Sequence, residues 1–132
     1  MTLKISEADI KRAVEDRLQI AQNQGQLMFL RLNSGDFIEV RGATRRRIKG
    51  CPPGTADFIV LQSVSFSLTY AGVSPSHQLP VIPATIVTFI EVKKPKGGKQ
   101  SEEQKVFEVK VRQFYARYFI LKSVDELEEI LR

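Results

Sequence analysis

Five consecutive residues, Ile86-Val87-Thr88-Phe89-Ile90, are β-branched or aromatic and show no alternation of apolar with polar. A strand with one face in water alternates, so this run reads as a central strand buried on both faces. Such a strand requires pairing neighbours and covering helices, and the rest of the chain supplies patterns for both.

Ser6-Glu7-Ala8-Asp9 is a capping-box pattern with Ile5 and Ile10 placed as a staple, and Ile10, Ala13, Val14, Leu18 and Ala21 follow the helical period. The spacing predicts a first helix over residues 7–24, with Gly25 at C′. Residues 27–32 read as a strand, Asn33-Ser34-Gly35-Asp36 as a turn and 37–41 as the returning strand of a hairpin. An Arg-rich segment and Cys51-Pro52-Pro53-Gly54 then break the pattern before a third strand over 57–61.

Residues 63–70 alternate cleanly, with Val64, Phe66, Leu68 and Tyr70 on one face, which predicts a separate half-exposed strand. A proline-containing loop over 72–83 leads to the buried strand, which ends at Lys93 and passes into a flexible basic loop over 94–99. Ser101-Glu102-Glu103-Gln104 opens a second helix with another capping box and an apolar stripe of Phe107, Val111, Phe114 and Tyr118. A short strand over 119–121 follows, and Ser123-Val124-Asp125-Glu126 caps a last helix carrying Leu127, Ile130 and Leu131. The expected class is α/β, a mixed sheet flanked by helices in the order α-β-β-β-β-β-α-β-α. With 132 residues there is room for one core and not for two ordinary domains, so residues 1–132 are expected to form a single domain.

Four acid-x-Lys triplets occur, and three of them, Asp9-Ile10-Lys11, Glu103-Gln104-Lys105 and Glu108-Val109-Lys110, lie in helical patterns. The fourth, Glu91-Val92-Lys93, closes the buried strand, whose period of two puts Glu91 and Lys93 side by side on one face. Charges held there are costly unless paired or bound to a metal. Gly54-Thr55-Ala56-Asp57 opens the preceding strand with another carboxylate. Two carboxylates and an amine are the set that holds a hard cation and directs water at a phosphodiester; the bland alternative is a solvated ion pair at a strand end.

Lys and Arg number 20 against 15 Asp and Glu, a net charge of +5, which favours a polyanionic partner. Arg41, Arg45, Arg46, Arg47 and Lys49 cluster before Asp57, and Lys93, Lys94, Lys96 and Lys99 cluster around the second motif. Both groups are expected in or beside loops at the carboxylate end, where phosphate contacts position a nucleic acid without reading its sequence. One cysteine, Cys51, excludes an internal disulfide, and one histidine, His77, leaves too few soft ligands for zinc, so any metal is expected to be oxygen-bound. Cys51 reads as structural and His77 as incidental. No apolar run approaches a membrane span and the start lacks a secretory signal, so the expected location is the cytoplasm of a bacterial or phage-infected cell, with no membrane partner.

An Asp opening one strand, with Glu-x-Lys closing a later one in this element order, resembles the PD-(D/E)XK nuclease superfamily. More narrowly, the chain resembles its virus-type replication-repair nuclease (VRR-NUC) branch. The matching residues are Glu7, Arg31-Leu32-Asn33-Ser34-Gly35, Gly54 to Asp57, Phe89-Ile90-Glu91-Val92-Lys93, and Ser101 with Gln104, so the likeness spans Glu7 to about Ser123. The superfamily's Pro before Asp is Ala56 here, and residues 62–85 are longer than a minimal domain of the family needs.

The resemblance implies a restriction-endonuclease-like core and Mg²⁺, with Mn²⁺ as a substitute, held by Asp57, Glu91 and the Val92 carbonyl. It makes Lys93 the residue that touches the attacking water or the scissile phosphate, and it implies products with 5′-phosphate and 3′-hydroxyl ends. Glu7 is either a further metal ligand or an acid favoured by its helix dipole. Gln104 belongs either to the metal site or to the Ser101 cap, a choice that looks exclusive at this level. Arg31, Asn33 and Lys96 are implied substrate contacts. The implied activity is a DNA endonuclease selective for branched structures such as Holliday junctions, acting in DNA repair as a homodimer, with two sites related by a two-fold axis. Either the edge formed by Val64, Phe66, Leu68 and Tyr70 or the last helix would make the dimer contact. A noncatalytic nucleic-acid-binding module of the same fold, or a nuclease on other DNA or RNA, is the alternative.

Overall fold

A computed structural model describes residues 3–67 and 81–132. The elements are α1 (Glu7–Asn23), β1 (Met28–Arg31), β2 (Asp36–Arg41), β3 (Thr44–Lys49), β4 (Phe58–Ser67), β5 (Val81–Val92), α2 (Glu102–Gln113), β6 (Arg117–Leu121) and α3 (Asp125–Leu131). A four-stranded sheet in the order β1-β4-β5-β6 is antiparallel except for the parallel β5–β6 pair, and β2 and β3 form a separate two-stranded sheet. The protein is therefore a mixed α/β fold with a mixed sheet flanked by helices.

The apolar pattern decides which helix covers which face. Ile10, Val14, Leu18 and Ala21 of α1 bury their stripe in one core with Phe58 and Val60 of β4, Ile90 and Val92 of β5, and Leu121. Leu127 and Ile130 of α3 enter the same core, so the last helix spends its apolar residues inside its own fold. Arg17 of α1 donates to Glu128 of α3 at 2.6 Å, tying the two helices together. On the opposite sheet face α2 sets Phe107 edge-on to Phe89 at 5.1 Å, with Tyr118 beside it. Thus Ile90 and Val92 point to α1 and α3, while Phe89, Glu91 and Lys93 share the α2 face.

Several expectations change. The strand over residues 37–41 does not return along the first strand; β2 pairs with β3, and β1 pairs with β4. The Arg-rich segment is thus a strand rather than a loop, because Arg41-Gly42-Ala43-Thr44 makes the hairpin turn, with Gly42 at φ 57°. Residues 58–67 run as one strand, so the alternation from Ser63 continues β4; Leu68, Tyr70 and His77 lie outside the described residues. Pro83 belongs to β5, not to a loop, and is tolerated because β5 outruns β6, whose pairing begins only at Thr88.

Burial of β5 on both sides is likewise confined to its C-terminal part: Thr88, Ile90, Glu91 and Val92 are buried, whereas Ile86 and Val87 are half-buried. The stripe assigned to the second helix overreads it, since α2 stops at Gln113, Phe114 is exposed, and Tyr118 is buried in β6. Tyr115, at φ 63°, turns the chain between them. Val124 occupies the N-cap of α3 without a side-chain hydrogen bond, so Ser123 does not cap it. Among the described residues no helix is long and apolar enough to cross a membrane.

Candidate active site

β4 begins, and β1, β5 and β6 end, at one edge of the main sheet, where Arg31, Phe58, Val92 and Leu121 lie. The β2–β3 hairpin follows β1 from this edge, its base closed by the Ser34–Cys51 bridge, and the loop over 94–99 leaves the edge toward α2. Both basic clusters therefore belong to the same end as the carboxylates, one on a hairpin and one on a loop.

Asp57 stands one step beyond the Phe58–Ile90 ladder pair, across from Glu91. Its N–H donates to the Ile90 carbonyl at 3.0 Å, and its Oδ2 accepts from the Val92 N–H at 2.7 Å. A side-chain carboxylate thus takes the place of the next backbone acceptor and fixes its own orientation. The other oxygen, Oδ1, lies 3.0 Å from the Lys11 ammonium of α1.

Glu91 has a side chain only 4% exposed. Its Oε1 accepts from Gln104 Nε2 at 2.7 Å and lies 3.6 Å from Lys93 Nζ; Oε2 is buried and has no hydrogen-bond partner among the described residues. Burial, aided by the Asp57 charge, pushes the Glu91 carboxyl up from 4.5 to about 7 against the opposing pull of Lys93 and Lys11. Burial also raises the Tyr118 hydroxyl to about 12, against the hydrogen bond donated by Gln100, which keeps it neutral beside this group.

Gln104 caps its helix and reaches Glu91 at once. Its Oε1 accepts from the Ser101 N–H at 2.8 Å to complete the capping box, leaving its amide nitrogen free for Glu91. An amide has separate donor and acceptor ends, which removes the exclusivity read from the sequence. The start of α2 approaches closely because of Gly54, at φ 89°, where a Cβ would lie 2.5 Å from the Glu103 carbonyl. Gly98 similarly lets the basic loop fold back onto Lys93 and Lys94.

Glu7 does not contact this set directly. It lines a cleft of about 480 Å³ with Ala8, Lys11, Arg12, Glu15 and Arg31, and Lys11 links that cleft to Asp57. Arg31 is paired with Glu15 at 3.0 Å. Asn33 is exposed, and its carbonyl accepts from the Cys51 N–H at the hairpin base. Arg45 and Arg47 share one hairpin face with Lys49 and the exposed Ile38 and Val40; Arg46 lies on the other face, opposite Glu39. Arg47 also pairs with Asp36. Lys94, Lys96 and Lys99 are exposed on the basic loop.

Lys11 is the residue at this site that the sequence did not point to. Its triplet lies in a helix, and only the packing of α1 against the sheet brings it to Asp57. Among the described residues no three Asp, Glu, His or Cys side chains are grouped to hold a metal ion. Two carboxylates nevertheless suit Mg²⁺, which is bound through one or two of them and keeps several waters. The unpartnered Glu91 Oε2 and the cation-facing Asp57 Oδ1 are oxygen donors of that kind. Compared with family models, with curated proteins and with solved structures, the chain matches none.

Proposed function

We propose that this chain is a Mg²⁺-dependent DNA endonuclease with a restriction-endonuclease-like core of the VRR-NUC type. The observation that carries the proposal is Glu91: a nearly inaccessible carboxylate across from a second one, with Oε1 3.6 Å from the Lys93 amine and Oε2 left without a partner among the described residues. A purely structural carboxylate in that position costs stability, because buried acceptors are ordinarily satisfied. Such a cost is characteristic of sites kept for chemistry.

Asp57 and Glu91 are the residues that would hold the ion, with Mn²⁺ as a substitute, and the Val92 carbonyl would be a further oxygen donor; Glu7 stands apart from them in the neighbouring cleft. When bound, such an ion supplies Lewis acidity and lowers the pKa of a coordinated water. The Val92 N–H fixes Asp57, and Gln104 fixes Glu91, so both carboxylates are preorganised. Lys93, whose amine lies 3.6 Å from Glu91 Oε1, would donate to the scissile phosphate and offset charge during in-line attack. Arg31, Asn33, Arg45, Arg46, Arg47, Lys94, Lys96 and Lys99 supply phosphate contacts around it. Basic groups on two separate projections suit a substrate with more than one duplex arm, such as a four-way junction, cut by a homodimer.

The test is incubation of the purified protein with four-way, flap and linear DNA in Mg²⁺. Cleavage by the wild type, strongest on branched DNA, and at least about a hundredfold loss in Lys93→Ala are expected. Salt-dependent binding without cleavage would instead establish a noncatalytic module.

A further inference from the structure

We propose that Lys11 is a built-in counter-cation: it occupies Asp57 Oδ1 while no divalent ion is present, withdraws to Glu7 when one binds, and thereby sets metal affinity. The inference rests on the metal-site reading of Asp57 and Glu91.

Three observations support it. Lys11 Nζ lies 3.0 Å from Asp57 Oδ1, the oxygen left over after Val92 has fixed Oδ2. Asp57 therefore need not follow the amine when it leaves, and Oδ1 keeps its direction. Lys11 has somewhere to go, because its side chain is 26% exposed and borders the cleft of about 480 Å³.

Glu7 precedes Lys11 by four residues on α1 and lines that cleft, which is the favourable Glu-to-Lys order for a helical ion pair. Glu15, the acid one turn later, is already engaged by Arg31. Lys11 thus has two alternative carboxylates, one at the site and one on its own helix. A divalent ion approaching Asp57 must displace the amine, so part of its binding energy is spent on that exchange.

Mn²⁺ titration followed by electron paramagnetic resonance tests this on the whole chain, independently of cleavage. Lys11→Met, which keeps the apolar stem, is expected to bind Mn²⁺ at least about fivefold tighter than wild type, by loss of a competing ion pair. In chelator it should melt below wild type, and saturating Mn²⁺ should raise its melting temperature by more. Lys11→Arg, retaining the charge, should bind no tighter than wild type, and supplies a second folded variant if Lys11→Met fails to fold.

Glu7→Gln should weaken Mn²⁺ binding in the wild-type background and have no effect in Lys11→Met. Equal weakening in both backgrounds would make Glu7 a ligand and overturn its role as the landing site. Equal or weaker Mn²⁺ binding by Lys11→Met overturns the counter-cation role, as does tighter binding by Lys11→Arg. If neither wild type nor Lys11→Met binds Mn²⁺, the metal-site reading itself falls.

Discussion

Glu91 carries a measurable signature whether or not a metal is involved. Its carboxyl is raised from 4.5 to about 7 in the fold, first by burial, so the native state holds a proton that the unfolded chain releases above about 4.5. Stability from this group therefore falls as pH rises from about 4.5 to about 7, and then levels off. Asp9, Glu108 and Glu128, lowered mainly by hydrogen bonds from Ser6, Gln100 and Arg17, act in the opposite sense and lose their contribution on acidification. The Glu91 share is isolated by comparison with Glu91→Gln in chelator. The variant should be more stable than wild type at pH 8, by on the order of 2–3 kcal/mol, with the gap closing toward pH 4.5 in urea titrations. Gln104→Ala removes a cap and a donor to Glu91 together, so a loss of about 1–3 kcal/mol is expected in the same titration. The cap was legible in Ser101-Glu102-Glu103-Gln104; the bond to Glu91 was not, because it joins two elements whose packing no local pattern specifies.

The hairpin and the glycine turn matter at the level of elements. β2 and β3 stand apart from the main sheet, with Arg45, Arg47 and Lys49 on one face. Arg45→Ala with Arg47→Ala should weaken DNA binding and reduce the slope of log affinity against log salt by about one to two, as expected when one or two phosphate contacts disappear. Melting temperature should hardly move, since both residues are exposed. Gly54→Ala should do the reverse: at φ 89° and 2.5 Å from the Glu103 carbonyl, it should cost about 1–3 kcal/mol by thermal melting and shift α2 away from Glu91. The sequence placed a turn at Gly54 but paired the wrong strands before it. Strand 37–41 could be joined to either neighbour on propensity alone, and a run of arginines carries no apolar alternation to mark a strand.

At the scale of the whole molecule, the helices and the central strand were readable because burial imposes periodicity. Ile10, Val14, Leu18 and Ala21 repeat with the helix, and the buried end of β5 lacks alternation as a covered strand should. The meeting of Lys11, Asp57, Glu91 and Gln104 was only partly readable. Their elements are far apart in sequence, and it is the β1-β4-β5-β6 order that delivers β4 and β5 to one edge. The amide of Val92 has a further consequence: it donates to the Asp57 side chain, not to a neighbouring strand's carbonyl. Its deuterium exchange therefore reports the grip of one carboxylate on the sheet edge, and Asp57→Ala should expose that single amide to solvent far sooner than those of Ile90 or Leu121.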